Sequence, residues 1–573
     1  VTRTIRLLSV LVATAAAPSA CSSCHASSSG NIGAADAQPA PAAEVPVAPP
    51  DGLVADAYLS SPNDFWKKLQ GGVGGAASLL PDSFPGVICA LAGLDPSLVR
   101  EFDANAPAFA ALGDGETTPP FAAAIKLKDE AHVEELLLGG DAAGFDAKDV
   151  AGMRMLVAHG KLSSLSVALA RSGYLVVASS EAELERFGPY VVRTMPTRSK
   201  PASSLEISVP RAALVGPLPR RATRAWDGAK DWLLARDAEE RANHGGRAPD
   251  YADASGIVEC VGAFVERRTA ILRDLDSALL DVDALDDGIS VEASLRPAAG
   301  GGAASKRFAA MRTGDTSPLL DTPNDALLAW LFRDDTSERA SDSAEIADCI
   351  GGALGSRIGA DDTKRLHVAF DGWAKGRGDW VSASLRVAGG AGVVFRAPTM
   401  DAAAMTVSLE AFDALAQRPI VAGPLAKVFF AAHPTTTTVA APPLGLATVV
   451  SFTRGAPEGA KLPPSVKVPT MAPVGAAWAV GATETDVAVG ESPVARLVAG
   501  ASPGAKLDAR AAKALAALGS NVVFSLVARS TANGSSPGAP LVVGWGARNG
   551  GGWARVELGY PLARDFVRSA VGL

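Results

Sequence analysis

Cys21, Ser22, Ser23, Cys24 and His25 spell C-x-x-C-H, the pattern in which two thiols add to the vinyl groups of a c-type haem and the adjacent imidazole becomes an axial ligand. The residues that follow, 26 to 50, are rich in Ala, Pro and Ser and hold almost no large apolar side chains, so no helices follow closely to enclose a porphyrin. Gly500, Ala501, Ser502, Pro503 and Gly504 match G-x-S-x-G, the elbow that exposes a nucleophilic serine between a strand and a helix. Here a helical pattern precedes the serine and Pro503 follows it directly, which reads as a helix-ending loop. Gly72, Gly74 and Ala77 fit G-x-G-x-x-A, but Phe65, Trp66, Lys67 and Lys68 ahead of them read as helix and not as the strand that dinucleotide binding needs. Asp281, Asp283, Asp286, Asp287 and Gly288 imitate a calcium loop until the register is set. With Gly288 as the obligatory glycine, Leu285 takes the third position and Ser294 the last, so these are turn carboxylates.

The remaining chemistry-bearing residues are dispersed. His25, His132, His159, His244, His367 and His433 have no partner at i+4 and no H-E-x-x-H frame. Trp330, Trp380, Trp478, Trp545 and Trp553 sit in strand-like runs, where core packing explains them better than carbohydrate stacking. The sequence therefore nominates no catalytic residue, no metal ligand and no cofactor.

The first twenty residues have the form of a secretory signal peptide. Arg3 and Arg6 precede an apolar run from Leu7 to Ala17, and small residues, Ser19 and Ala20, lead to Cys21. This junction resembles the lipobox of bacterial lipoproteins, in which the cysteine becomes the lipidated first residue, although Pro18 stands where that motif usually has Leu. Lipidation of Cys21 and haem attachment through Cys21, Cys24 and His25 exclude one another, since one thiol cannot serve both. Residues 21–52 then read as a flexible Ala/Pro-rich tether. In an oxidising envelope, one disulfide among Cys24, Cys89, Cys260 and Cys349 is compatible with the sequence, and no spacing fixes the pairing.

At 573 residues the chain has room for roughly three or four domains of about 150 residues. Hydrophobic residues make up 48% of it, and the net charge of -8 is spread over interspersed acids and bases. No concentrated basic face is present, which argues against a nucleic-acid partner.

The elements that would position a site follow from local pattern. Ser164 to Val191 reads as a hairpin turning at Arg171, Ser172 and Gly173, then a helix opened by the capping box of Ser180 and Glu183. Similar strand-to-helix joints occur at Gly392 to Leu415 and at Thr485 to Gly500. The expected fold is α+β, with repeated ferredoxin-like split β-α-β units, antiparallel or mixed sheets and a helical insert. The expected divisions are 1–20 (signal peptide), 21–52 (tether), 53–210 (first unit), 211–275 (helical insert), 276–433 (hairpin and second unit) and 434–573 (linker and third unit). Pro96 to Leu112 is expected as helix, and Pro434 to Pro443 as a Thr-rich connection.

The leader with Cys21, the Ala/Pro tether and runs such as LVVASSEAEL (Leu175 to Leu184) together resemble the large lipoproteins of unknown function common in myxobacteria, and related envelope families. That resemblance implies a membrane partner through an N-terminal lipid, a folded body outside the cytoplasm, and the outer membrane in preference to the inner. It supplies no catalytic residues. The function expected is non-catalytic binding or scaffolding of an envelope protein or a small molecule. The alternatives are an envelope hydrolase with a site assembled between repeats and a c-type haem protein.

Overall fold

The computed structural model describes residues 45–74, 77–78, 80–115, 119–139, 145–158, 165–243, 253–323, 325–387, 390–418, 434–452, 474–501, 507, 509–529 and 540–564. These residues divide between two compact units. One is drawn from 1–220, 272–305 and 548–573, the other from 221–271 and 306–547. Both mix helices with antiparallel strands, so the fold class is α+β.

In chain order the first ten strands are β1 (Leu53–Leu59), β2 (Ala108–Gly113), β3 (Phe121–Lys126), β4 (Phe145–Val150), β5 (Met153–Ala158), β6 (Ser166–Ala170), β7 (Tyr174–Ala178), β8 (Leu205–Pro210), β9 (Leu275–Ala284) and β10 (Gly288–Pro297). The next ten are β11 (Leu328–Arg333), β12 (Trp380–Arg386), β13 (Gly392–Pro398), β14 (Thr435–Ala440), β15 (Leu446–Phe452), β16 (Val474–Val480), β17 (Glu484–Glu491), β18 (Val522–Ala528), β19 (Leu541–Arg548) and β20 (Gly551–Gly559).

Within the first unit the strands pair in the order β4-β5-β6-β7-β3-β2-β1-β8-β9-β10-β20, antiparallel at every step. The second unit runs β14-β15-β16-β17-β13-β12-β11-β18-β19, again antiparallel throughout. Adding ten to each of the first nine strand numbers of the first order, β4 through β9, gives the second; β10 and β20 have no counterpart in it. Helices fall in the same places. Two separate β1 from β2 (Pro62–Val73, Phe84–Ala92) and two separate β11 from β12 (Thr336–Leu354, Ala360–Gly376). One follows β3 (Glu130–Leu138) and one follows β13 (Ala402–Ala416). One follows β7 (Glu181–Pro189) and one follows β17 (Pro493–Ala501).

All described pairings are antiparallel, within the expected antiparallel or mixed sheets, and turns such as Ala151-Gly152 and Arg171-Ser172-Gly173 are too short for a parallel crossover. The strand order does not reproduce repeated ferredoxin-like units. Residues 434–491 hold β14 to β17, of which β17 pairs back onto β13, so these strands belong to the second unit, while 548–573 belong to the first. The joint at 485–500 corresponds to the one at 174–189, whereas the joint at 392–415 corresponds to β3 and its helix. Pro96–Glu101 makes only a short 3-10 helix, and β2 begins just after Pro107, whose ring denies a helix its continuation. The Thr-rich stretch Thr435–Ala440 is an edge strand, β14. Residues 211–275 hold three helices, Arg211–Val215, Pro217–Asn243 and Ala254–Arg273, between β8 and β9. Residues 529–540 occupy the corresponding place between β18 and β19.

Local chemistry explains the helix starts. Ser180 accepts a hydrogen bond from the Glu183 N–H, Asp129 from His132, and Asp401 from Ala403 and Ala404. Each such cap stabilises its helix by about 1 kcal/mol. In the second unit Cys260 and Cys349 form a disulfide, with a Cα separation of 5.3 Å, between helices Ala254–Arg273 and Thr336–Leu354. Cys89 is a buried free thiol, pushed up to about 11 by desolvation first and by Asp95 second. It packs in the first unit's core with Leu94, Leu98, Val133 and Leu137.

Candidate functional site

Strand alternation gives the second unit's sheet two apolar faces. On one, Val394, Val449, Ala477, Ala479 and Ala488 close around Leu497 of helix Pro493–Ala501. On the other, Phe395, Val450, Ala476, Trp478, Val487 and Val489 face helices Ala360–Gly376 and Ala402–Ala416 across a cavity of about 610 Å³. Trp330 of β11, Val381 of β12 and Phe452 of β15 extend its wall, and Phe370, Trp373, Leu409, Phe412 and Ala416 form the helical side. Val489 is 43% exposed, so the cavity opens to solvent along that strand.

The two helices leave this space because they pack closely on each other. A Cβ on Gly372 would lie 2.9 Å from the Ala404 carbonyl, and one on Gly376 would lie 2.7 Å from the Met405 nitrogen. The Ser408 hydroxyl donates to the Ala369 carbonyl at 2.6 Å across the same crossing. Leu366 and Leu415 turn toward Ala347 of a third helix. Those side chains are committed away from the sheet.

The corresponding face of the first unit is a filled core. Register identifies its positions: Ile125 opposes Leu175 as Phe395 opposes Val487, Leu169 opposes Leu175 as Trp478 opposes Val487, and Leu156 opposes Val167 as Val450 opposes Ala476. There Ile125, Leu156, Val167, Leu169 and Leu175 are all buried in one cluster with Val133, Leu137 and Leu98. The second unit carries aromatic rings at two of these five positions and a cavity beside a smaller core, in which Met405 and Leu409 pack with Val450, Phe452 and Trp478.

One ionisable group lines the cavity among the described residues, Asp413. Its carboxylate accepts hydrogen bonds from the Thr436 hydroxyl at 3.1 and 3.2 Å and from the Gln417 amide at 3.0 Å. On the opposite face of the sheet Arg396, Glu484 and Asp486 form an ion-pair cluster, with Arg396 Nε 2.8 Å from Glu484 and 3.5 Å from Asp486. Asp486 is 3% exposed. Burial and the neighbouring Glu484 carboxylate push it up to about 6, against the pull of Arg396. A carboxyl whose folded value lies above its unfolded value binds more protons when folded, so its contribution to stability falls as pH rises from about 4 to about 6. Asp486→Asn is therefore expected to flatten stability against pH across that window and to raise neutral-pH stability by up to about 3 kcal/mol, Glu484 keeping Arg396 paired. Urea denaturation between pH 4 and pH 8 reads it out, and an unchanged pH profile in the variant would refute the assignment.

The residues singled out by sequence lie elsewhere. Cys21, Cys24 and His25 fall outside the described residues, as do Ser502, Pro503, Gly504, His159, His244 and His433. Gly72 lies inside helix Pro62–Val73, against the ring of Tyr560, and Gly74 ends that helix. Asp281 accepts from the Ser203 hydroxyl, and Asp283 from the Ser204 N–H and hydroxyl, so both brace β9, while Asp286 lies 3.8 Å from Lys68. His132 opens a helix, and His367 lies 3.1 Å from Asp348 on the surface. Among the described residues no group of three or more His, Cys, Asp or Glu is placed to hold a metal ion, and no helix is long and apolar enough to cross a membrane.

Trp553 is a fully buried core residue, Trp478 is buried with Met405, Leu409, Val450 and Phe452 at the cavity's edge, and Trp330, also expected in the core, lines the cavity. Sequence reasoning missed Phe370, Trp373, Phe412 and Asp413. The signal for the last two was the i, i+3, i+4, i+7 stripe of Leu409, Phe412, Asp413 and Ala416, which marks an inward helix face without telling core from cavity.

No family model matches this chain, and no curated protein matches it. Among solved structures, two crystal forms of TP0453 align with it. Form III has 9% identity and a TM-score of 0.23, form I has 10% and 0.22, and each alignment covers 44% of this chain and 85% of the other. Similarity at that level assigns neither fold nor function.

Proposed function

We propose that the protein is a non-catalytic binding protein of the bacterial cell envelope that holds an apolar small molecule in the second unit's cavity. The observation that carries this reading is the cavity itself. Its volume falls within the roughly 300–1,000 Å³ of small-molecule sites, its wall is almost wholly apolar, and its polar equipment is a single carboxylate with two neutral donors. A wall of that composition suits desolvation of a hydrophobic body and, among the described residues, offers no nucleophile and base within reach of each other.

Titration with Nile red, a neutral apolar dye, tests it. Saturable uptake at one dye per chain, with energy transfer from the wall tryptophans, is expected. A folded protein that takes up no dye saturably would overturn the reading.

The envelope setting rests on the leader and Cys21. Protein recovered from its native membrane should have the mass of a chain starting at Cys21 plus a lipid, and Cys21→Ala should lose that mass and the membrane association. A haem-sized adduct with a Soret band would replace this reading with the haem alternative at Cys21, Cys24 and His25. Fractionation with the inner membrane would remove the outer-membrane assignment.

A further inference from the structure

The charge at the rim of the cavity points to the kind of molecule it accepts. Asp413 lines the apolar volume, and its bonding partners, Thr436 and Gln417, are neutral donors. No arginine or lysine among the described residues pairs with it, in contrast to Asp362, which is held by Arg418 at 2.9 Å, and Asp371, held by Lys375 at 2.6 Å. A carboxylate that pairs with no cation among the described residues, beside an apolar space, repels an incoming carboxylate or phosphate and attracts a cation.

The wall adds a second, independent preference. Trp330, Trp373 and Trp478 are joined by Phe370, Phe395 and Phe412, with Trp330 edge-on to Phe395 at 6.2 Å and Phe370 edge-on to Phe412 at 5.5 Å. The faces of such rings carry negative charge density and attract ammonium groups, and their bodies pack against alkyl or aryl chains.

We propose that the cavity selects an amphiphilic cation, an apolar chain or ring system lodged among the tryptophans with its ammonium group at Asp413. This rests on the apolar-ligand reading above and deepens it. A fatty-acid anion of the same length is the disfavoured ligand.

The test is competition against Nile red, near neutral pH and below micellar concentrations, by dodecylammonium, dodecanol and dodecanoate, in the wild-type chain and in Asp413→Asn and Asp413→Glu. In the wild type, dodecylammonium should displace the dye at about tenfold lower concentration than dodecanoate. Asp413→Asn should bring the two within about twofold, as a neutral amide no longer tells the charges apart, while Asp413→Glu keeps the order. Dodecanol should still displace the dye in all three chains, which shows that the variants fold and that the cavity is intact. Dodecanoate binding as tightly as dodecylammonium in the wild type, or the order surviving in Asp413→Asn, would overturn the selectivity while leaving the apolar cavity standing. Failure of the dye itself to bind would remove both.

Discussion

Ala476→Trp is expected to lower Nile red uptake by more than about a hundredfold while leaving the second unit folded. Ala476 projects from β16 into the cavity, between Val450 on β15 and Val489 on β17. An indole there projects into the cavity and takes up volume a ligand needs. The same substitution at Val167, the corresponding position of the first unit, enters a closed core where Leu156, Leu169 and Val177 already meet it. Overpacking of that kind costs about 1–3 kcal/mol or more and should lower the first unit's stability without touching dye uptake. Dye titration and thermal denaturation of the two variants separate these outcomes. Unchanged uptake by Ala476→Trp would place the ligand somewhere other than this cavity.

Arg339→Ala should cost about 3–5 kcal/mol and loosen the helix that carries Phe370 and Trp373. Arg339 is 2% exposed. Its Nε donates to Asp334 at 2.8 Å, and its Nη1 donates to the carbonyls of Ala374 and Arg377 at 3.1 and 2.8 Å, at the C-terminal end of helix Ala360–Gly376. Those carbonyls have no further helical turn to donate to them, so the guanidinium satisfies groups that would otherwise be buried unpaired. Arg377 continues to pair with Asp334 in the variant, so the loss falls on the carbonyls and the cavity left by the side chain. Urea denaturation should show the lost stability, and dye affinity should fall with it because Trp373 shares that helix. A loss below about 1 kcal/mol would mean that the cluster behaves like a surface ion pair.

The two variants probe different levels of the same construction. Arg339 fixes where a helix ends, and Ala476 sets how much room the sheet leaves beneath it. The first unit shows that this topology closes readily into a core when aliphatic side chains occupy the equivalent positions. Binding capacity in the second unit is therefore a property of side-chain choice and helix crossing on a shared framework, which fits the general rule that function is grafted on folds.

Short-range chemistry was legible in the sequence. The capping box at Ser180 and Glu183, the turn at Arg171 to Gly173 and the hairpin that opens the stretch from 276 all lie within a few residues of the groups they satisfy, and local pattern located them. The tertiary structure alone decided the partners. Phe395 meets Val487 and Leu331 meets Ser525 across long stretches of chain, and a period of two specifies which face a strand buries without naming the strand beside it. The pairing of Cys260 with Cys349 has the same origin, since helices far apart in sequence bring the thiols together. Trp330 and Trp478 carry the same apolar signature, yet Trp478 packs with Met405 and Leu409 at the edge of a cavity while Trp330 lines that cavity, where the helices opposite pack on one another through Gly372 and Gly376. An apolar side chain records in sequence that it leaves water; whether it meets another side chain or an open volume depends on the element placed across from it.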